Sequence, residues 1–103
     1  IKDGLMRGED IPQLESFDAS MLFARTEGII PAPESGHAIA ATIREAIKCK
    51  ESGEAKVLLF NLSGHGLIDM TAYESYLNGD LQNYSISDEE ISNSLKDVPK
   101  VEF

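Results

Sequence analysis

A short turn with the means to bind a ligand begins at Asn61 and reads Asn-Leu-Ser-Gly-His-Gly. Ser63 offers a hydroxyl that can both donate and accept a hydrogen bond, and Gly64 and Gly66 let a ligand approach the backbone closely. The turn follows residues 57–60, an unbroken apolar run that is typical of a strand buried on both faces of a parallel sheet. Because ligands of α/β proteins bind beyond the carboxyl ends of the strands, the sequence predicts a small-molecule site here.

Three chemistries can be weighed at this turn. The Gly-x-Ser-x-Gly frame of hydrolase nucleophiles fails because Asn61 stands where the first glycine should be, which disfavours Ser63 as a nucleophile. Residues 64–66, Gly-His-Gly, could cradle a phosphate if a helix followed directly. No spacing of the two histidines with Asp69 matches a known zinc pattern, so we expect no metal site.

Composition narrows the classes of partner and compartment. The 103-residue chain has a formal net charge of -9 at pH 7, which argues against nucleic acid and anionic membranes, because phosphates are bound by clustered Lys and Arg. The single cysteine, Cys49, cannot form an internal disulfide, and no apolar run approaches the roughly 20 residues of a membrane span. We expect a cytoplasmic protein of one domain at most. The first residue is Ile1 and not Met, which suggests a piece of a longer chain.

Hydrophobic periodicity predicts two longer helices before the turn. The first starts near Pro12, runs to about Arg25 and is stopped by Gly28. The second is capped by Glu34 or Ser35 and continues to about Gly53, and its apolar face comprises Ile39, Ile43, Ala46 and Ile47.

Two shorter helices are predicted after the turn. One covers residues 71–77 and is stopped by Asn78-Gly79. The other begins at residues 87–90, Ser-Asp-Glu-Glu, which have the form of a capping box, and runs to about Asp97.

The strand content is small. Residues 56–62 form one good strand and Ile29-Ile30 a marginal one; the second helix joins them into a single βαβ unit of an α/β fold. Two strands do not make a stable parallel sheet, so we expect this unit to pack on strands from a missing part of its own chain or from another copy. The resulting division is a loop or frayed end at 1–10, the βαβ-type part at 11–79, and a polar connection with a helical tail at 80–103.

Two blocks of the sequence resemble the C-terminal part of a tryptophan synthase β chain. Residues 25–38 contain Glu-Gly-Ile-Ile-Pro-Ala, and residues 60–66 read Phe-Asn-Leu-Ser-Gly-His-Gly; their order and separation also match. Both blocks look most like the divergent β-chain-like group, and the resemblance runs from about Pro12 to Tyr76. It implies a fold type II enzyme that uses pyridoxal 5'-phosphate to join indole to the carbon skeleton of L-serine, giving L-tryptophan.

The resemblance also implies roles for individual residues. The serine of Asn-Leu-Ser-Gly, which hydrogen-bonds the pyridine nitrogen in that family, corresponds to Ser63, and Gly64 would be the close neighbour of the ring. The glutamate of Glu-Gly-Ile-Ile-Pro lies near the ring and corresponds to Glu27. Since the family holds the cofactor phosphate with a different glycine-rich loop, the turn should face the ring and not the phosphate.

Several parts of such an enzyme have no counterpart here. The family's Schiff-base lysine follows a histidine, and no lysine of this chain has that setting, so no catalytic residue is assigned and the segment alone should be inactive. For a complete protein the resemblance implies a homodimer, with a tryptophan synthase α subunit as a further partner. From the residues alone, two alternatives stay open: a non-catalytic module that binds a small ligand or a phosphate, and a structural fragment that only packs against a partner.

Overall fold

The computed structural model describes residues 3–99, and these are mainly helical. Residues 1–2 and 100–103, which belong to the predicted end segments 1–10 and 80–103, lie outside the described residues. The α-helices are α1 (Gln13–Glu27), α2 (Pro33–Ser52), α3 (Met70–Leu77) and α4 (Asp88–Ser94), and a short 3-10 helix (Gly66–Ile68) precedes α3.

The ends of α1 and α2 follow from a few residues. Both helices stop at a glycine in the left-handed conformation, Gly28 (φ 72°) and Gly53 (φ 70°), which confirms these two predicted stops. The predicted start of α2 is wrong. The helix begins at Pro33, whose fixed φ suits the first helical turn, and neither Glu34 nor Ser35 serves as its cap.

Helices α1 and α2 approach closely at small residues. An ideal Cβ placed on Gly36 would lie 2.3 Å from Ser20 Oγ and 2.5 Å from Ser16 Oγ, so only glycine fits this contact. Ser20 Oγ donates to the Ser16 carbonyl at 2.8 Å, and Ser16 Oγ donates to the Pro33 carbonyl at 3.2 Å. The buried hydroxyls at this crossing are therefore satisfied, as burial requires.

The hydrophobic core lies beside this contact. Its buried members are Ala19, Ile39 and Ala40, and the partly buried residues packed on them are Ile11, Phe23, Ile43, Phe60 and Leu62. The predicted apolar face of α2 is only half correct, because Ala46 is exposed and Ile47 is 49% exposed. Helix α2 has 20 residues against 15 in α1, so the pair does not cover the last turns of α2.

The βαβ unit is not formed among residues 3–99. Residues 54–63 carry neither helix nor strand, and the only pairing is an isolated antiparallel bridge between Pro31 and His65. Exposure alternates along the predicted strand: Val57 is 98% and Leu59 97% exposed, whereas Leu58 is 37% exposed and Phe60 packs on the core. That alternation is the period of a strand, but no neighbouring strand completes a ladder.

Helix α3 packs on α1 through aromatic rings. Phe17 lies edge-on to Tyr73 at a centroid distance of 5.2 Å and is stacked with Tyr76 at 5.5 Å, and the Tyr76 hydroxyl donates to Asp18. The prediction of this helix and of its stop before Gly79 is confirmed. None of the helices within 3–99 combines the length and the apolar character needed to cross a bilayer.

Helix α4 is held by its own first turn. The capping box between Ser87 and Glu90 is formed as predicted, although the helix ends at Ser94, earlier than the predicted Asp97. No residue of α4 is buried, so the helix is stabilised locally and not by a core.

Candidate functional site

The turn at 61–66 lies against the segment that joins α1 to α2. The Gly66 N–H donates to the Ile30 carbonyl at 2.9 Å, and the Ala32 N–H donates to the Gly64 carbonyl at 3.4 Å. Two stretches separated by about thirty residues in the sequence, each carrying part of the predicted site, are thereby joined through their backbones.

Tyr73 of α3 stabilises the junction, that is, the contact between the turn at 61–66 and the α1–α2 connection at 28–32. Its hydroxyl donates to the Pro31 carbonyl at 2.6 Å, and burial raises the pKa of that hydroxyl, which keeps it protonated as a donor. A Cβ on Gly66 would lie 2.3 Å from the Pro31 carbonyl oxygen and 2.9 Å from Tyr73 Cε2. The junction is therefore closed so tightly that position 66 has no room for a side chain.

Ser63 is exposed at the surface of the turn, so its hydroxyl is accessible to a ligand. Its carbonyl oxygen accepts a hydrogen bond from Ser35 Oγ, and the two side-chain oxygens are 3.4 Å apart. Ser35 lies in the first turn of α2 and is only 3% exposed. The backbone of Ser63 is thus tied to a helix while its side chain stays at the surface.

Gly64 has the backbone conformation that the turn requires. Its φ is 74°, in the left-handed region that favours glycine. A Cβ there would also come within 3.3 Å of Ala32 Cβ. Glycine at this position keeps the surface next to the Ser63 hydroxyl free of a side chain.

Glu27 lies at the end of α1, immediately before Gly28, and is exposed. It therefore stands at the head of the segment that contacts the turn. Within residues 3–99, no hydrogen bond or ion pair joins its carboxylate to Ser63 or Gly64. Ser63 and Gly64 are neighbours in the sequence, and within residues 3–99 the structure adds no hydrogen bond or ion pair between them and Glu27.

Phosphate binding by the turn is disfavoured by the backbone N–H groups already in use. The N–H of Gly66 donates to Ile30, and the N–H of Leu67 donates to His65 Nδ1 at 3.3 Å. The helix that follows has three residues, too few to present an anion site at its start. Across the part of the chain that the structure describes, no group of three His, Cys, Asp or Glu side chains is placed to hold a metal ion.

Three known proteins similar to this chain carry the name tryptophan synthase beta chain 2. The sequence is 52% identical to tryptophan synthase beta chain 2 of Pyrococcus furiosus over 99 residues, which is 96% of this chain and 22% of that protein. It is 67% identical to the beta chain 2 of Aquifex aeolicus over 69 residues, which is 67% of this chain and 16% of that protein. The beta chain 2 of Thermotoga maritima is 58% identical over 73 residues, 71% of this chain and 17% of that protein.

The chain belongs to the tryptophan synthase β-chain family. This confirms the resemblance and places the chain in a family of fold type II pyridoxal-phosphate enzymes. The chain spans between 16% and 22% of the length of these β chains, consistent with a C-terminal segment. No protein-family model matches the sequence.

The sequence does not identify two residues that hold this part of the chain in place, Ser35 and Tyr73. The sequence suggests Ser35 as a helix cap, whereas its side chain contacts Ser63, and Tyr73 appears only as a member of a short helix. The Ser35–Ser63 contact joins residues 28 positions apart and the Tyr73–Pro31 contact joins residues 42 positions apart. A local sequence pattern does not indicate contacts over such separations. The one feature of the sequence that could have indicated the Ser35–Ser63 contact is Ser35 itself, because it places a hydroxyl on the apolar side of a helix, directly before a glycine.

Proposed function

We propose that this chain is the part of a tryptophan synthase β-like enzyme that forms the wall of the cofactor site facing the ring nitrogen of pyridoxal 5'-phosphate. The complete enzyme would join indole and L-serine to give L-tryptophan. The observation that carries the proposal is the similarity to the β chain of Pyrococcus furiosus, since the matched residues take in both Glu27 and Ser63.

The turn at Ser63 offers the donor that a pyridine nitrogen needs. The Ser63 hydroxyl is accessible, and the neighbouring Gly64 presents no side chain that would keep a flat ring away. A hydroxyl can donate its proton to an unprotonated ring nitrogen, whereas a carboxylate in the same place would favour the protonated form. The residues present therefore suit the ring, and Ser63 and Gly64 would hold it.

A neutral partner at the ring nitrogen sets the electronic character of the site. Bound pyridoxal phosphate supplies an electron sink for replacement at the β-carbon of an amino acid. With Ser63 beside it, the nitrogen would stay largely unprotonated and the sink would be moderate. The serine of this chain would thus tune the cofactor without itself exchanging a proton with the substrate.

Glu27 is proposed to lie near the ring in the complete enzyme. Its position supports this, because Glu27 directly precedes residues 28–32. The Ala32 N–H at the end of that segment donates to the Gly64 carbonyl of the turn. A carboxylate in that position would act on the charge around the ring and would not hold the phosphate.

The remainder of the protein would supply the other parts. These are the lysine that carries the cofactor, the general base, the loop for the amino-acid carboxylate and most of the indole pocket. We also propose that residues 56–62 become a strand of the complete sheet, since Val57 and Leu59 are exposed here and alternate with side chains that pack inward. A homodimer and an association with an α subunit are further proposals for the whole enzyme, as is its location in the cytoplasm.

The test is made on a full-length chain that carries this segment. We expect it to bind pyridoxal phosphate and to form tryptophan from indole and serine. Ser63→Asp should change the absorbance spectrum of the bound cofactor, because a carboxylate favours protonation of the ring nitrogen.

Ser85→Asp is the matched control, since it adds the same charge at an exposed position beyond α3. The proposal requires its spectrum to match that of the parent protein. A Ser63→Asp spectrum that also matches the parent would remove Ser63 from the ring nitrogen, and absence of tryptophan formation by the full-length chain would reject the activity.

A further inference from the structure

Ser35 is a buried serine whose side-chain hydroxyl, within residues 3–99, makes hydrogen-bond contacts with Ser63 of the proposed cofactor turn. It is 3% exposed and is the third residue of α2, two positions inside the helix and past the N-cap, which is Ala32. Here no side chain caps α2, and Ser35 Oγ donates across the junction to the Ser63 carbonyl oxygen. Local helix stability does not account for this use of the hydroxyl.

The bond fixes Ser63, whose own backbone makes no hydrogen bond to the α1–α2 connection within residues 3–99. The neighbouring contacts hold Gly64 and Gly66, through Ala32 and Ile30 respectively. Without the bond from Ser35, the peptide that joins Ser63 to Gly64 could rotate, because it lies just before the first of these fixed points. Such a rotation would redirect the side chain of Ser63.

The single proton of Ser35 also matters for the direction of the Ser63 proton. Because that proton is donated to the Ser63 carbonyl, Ser35 cannot donate to Ser63 Oγ. The two side-chain oxygens are 3.4 Å apart, at the outer limit of a hydrogen bond, so Ser35 is also a poor acceptor for Ser63. The Ser63 proton stays available for a better acceptor outside the turn.

The helix that carries Ser35 is itself held in place. Gly36 fits directly against Ser16 and Ser20 of α1, and Ser16 Oγ donates to the Pro33 carbonyl at 3.2 Å. The start of α2 cannot shift without opening this contact. A polar group on such a rigid element can position its partner precisely.

We propose that Ser35 is a positioning residue, which fixes Ser63 so that its hydroxyl proton is directed at the cofactor ring nitrogen. The inference rests on the proposed function of Ser63 and adds a residue to it. It assigns Ser35 no contact with the cofactor.

The experiment uses the full-length protein, loaded with pyridoxal phosphate labelled with ¹⁵N in the ring. Ser35→Ala should move the ring-nitrogen resonance away from the parent value and raise the Kd of the cofactor about threefold to tenfold, the equivalent of one hydrogen bond. Ser35→Thr keeps the hydroxyl and should return the resonance toward the parent value.

Thr42→Val is the matched control. Thr42 is a half-buried residue of α2 whose Oγ1 also donates to a backbone carbonyl, at 2.7 Å, but its acceptor is Ala38 within the same helix. The substitution removes a hydroxyl at nearly constant volume and should leave the ring-nitrogen resonance unchanged. A Ser35→Ala resonance equal to that of the parent, or a Thr42→Val shift as large as that of Ser35→Ala, would overturn the inference.

Ser63→Asp in the same measurement separates the two proposals. If Ser63→Asp moves the resonance and Ser35→Ala does not, the role of Ser35 fails while that of Ser63 stands. If Ser63→Asp leaves the resonance unchanged, the assignment of Ser63 to the ring nitrogen fails, and the role of Ser35 fails with it.

Discussion

The α1–α2 pair and residues 54–62 both carry apolar side chains, but they differ in packing within residues 3–99: the two helices meet in close contact, whereas only one side of the stretch, with Phe60 and Leu62, packs on the core. At the pair, Gly36 meets Ser16 and Ser20 so closely that no side chain fits. In the 54–62 stretch, Val57 and Leu59 are almost fully exposed. The two regions meet at the turn at 61–66. Residues 54–62 lead into this turn, and Ser35 at the start of α2 donates a hydrogen bond to it.

The difference shows where each region finds its partner. Helix α1 supplies the surface that the first turns of α2 need, so their close contact is formed within 3–99, whereas the last turns of α2 stay uncovered. An apolar stretch with an exposed face and unpaired backbone needs a neighbour, because burial of that face is the main gain from forming a strand. A protein about four times as long, as the related β chains are, has enough additional chain to provide it.

Leu59→Ala gives the largest expected effect and tests the exposed side of this comparison. In the full-length protein, we expect a loss of about 2–5 kcal/mol in the free energy of unfolding, because the side chain becomes part of a packed sheet. Leu5→Ala, at an exposed leucine outside the predicted strand, should be close to neutral. Urea unfolding followed by circular dichroism measures both, and a neutral Leu59→Ala would show that the stretch has no covering partner.

Gly36→Ala tests the packed side and should have the next largest effect. The new methyl group would lie 2.8 Å from the Ser16 carbonyl oxygen as well as close to two hydroxyls, so the helices must move apart. Overpacking of this kind costs about 1–3 kcal/mol. The matched control is Gly8→Ala, where a Cβ meets nothing within 4 Å. Equal unfolding midpoints for the two variants would contradict the close contact of α1 and α2.

The smallest effect is expected at α4, which belongs to neither region. Ser87→Ala removes the N-cap and should destabilise this helix by about 1 kcal/mol, with little change in global unfolding because no residue of α4 is buried. Hydrogen exchange of the amides at 88–94 measures the local loss. Exchange as slow as in the parent would contradict the cap.

The same cap gives a pH dependence with a definite sign. Hydrogen bonds from the backbone and side chain of Ser87 lower the pKa of Glu90. The stabilisation is therefore present above the ordinary pKa of a glutamate and is lost as the pH falls through the lowered value. Glu90→Gln should flatten this dependence, whereas Glu89→Gln, outside the box, should leave it in place.

The features predicted correctly from sequence are those set by neighbouring residues. The glycine stops at Gly28 and Gly53, the helix around Tyr73 and the Ser87–Glu90 cap each depend on a few consecutive positions. The strand at 56–62 is predicted from the sequence but is not formed within 3–99, for the opposite reason. Its apolar run and its alternation describe a side-chain pattern, but a strand also requires a partner backbone, which residues 3–99 do not provide.

The candidate site divides in the same way. Ser63 and Gly64 can be named from the sequence because serine and glycine after an apolar run are a local signal, strengthened by the family resemblance. Ser35 and Tyr73 cannot, since their contacts with Ser63 and Pro31 arise only when distant segments meet. The cofactor-binding roles of Ser63, Gly64 and Glu27 all stay predictions, and no hydrogen bond or ion pair within 3–99 links Glu27 to the turn.

The most direct test of the central claim is the distance from Ser63 Oγ to the ring nitrogen in a crystal structure of the full-length protein with pyridoxal phosphate bound. We expect a hydrogen bond of about 2.7–3.0 Å, with Ser35 Oγ still on the Ser63 carbonyl. A Ser63 hydroxyl that lies beyond hydrogen-bond distance of the nitrogen, or that contacts the cofactor phosphate, would contradict it.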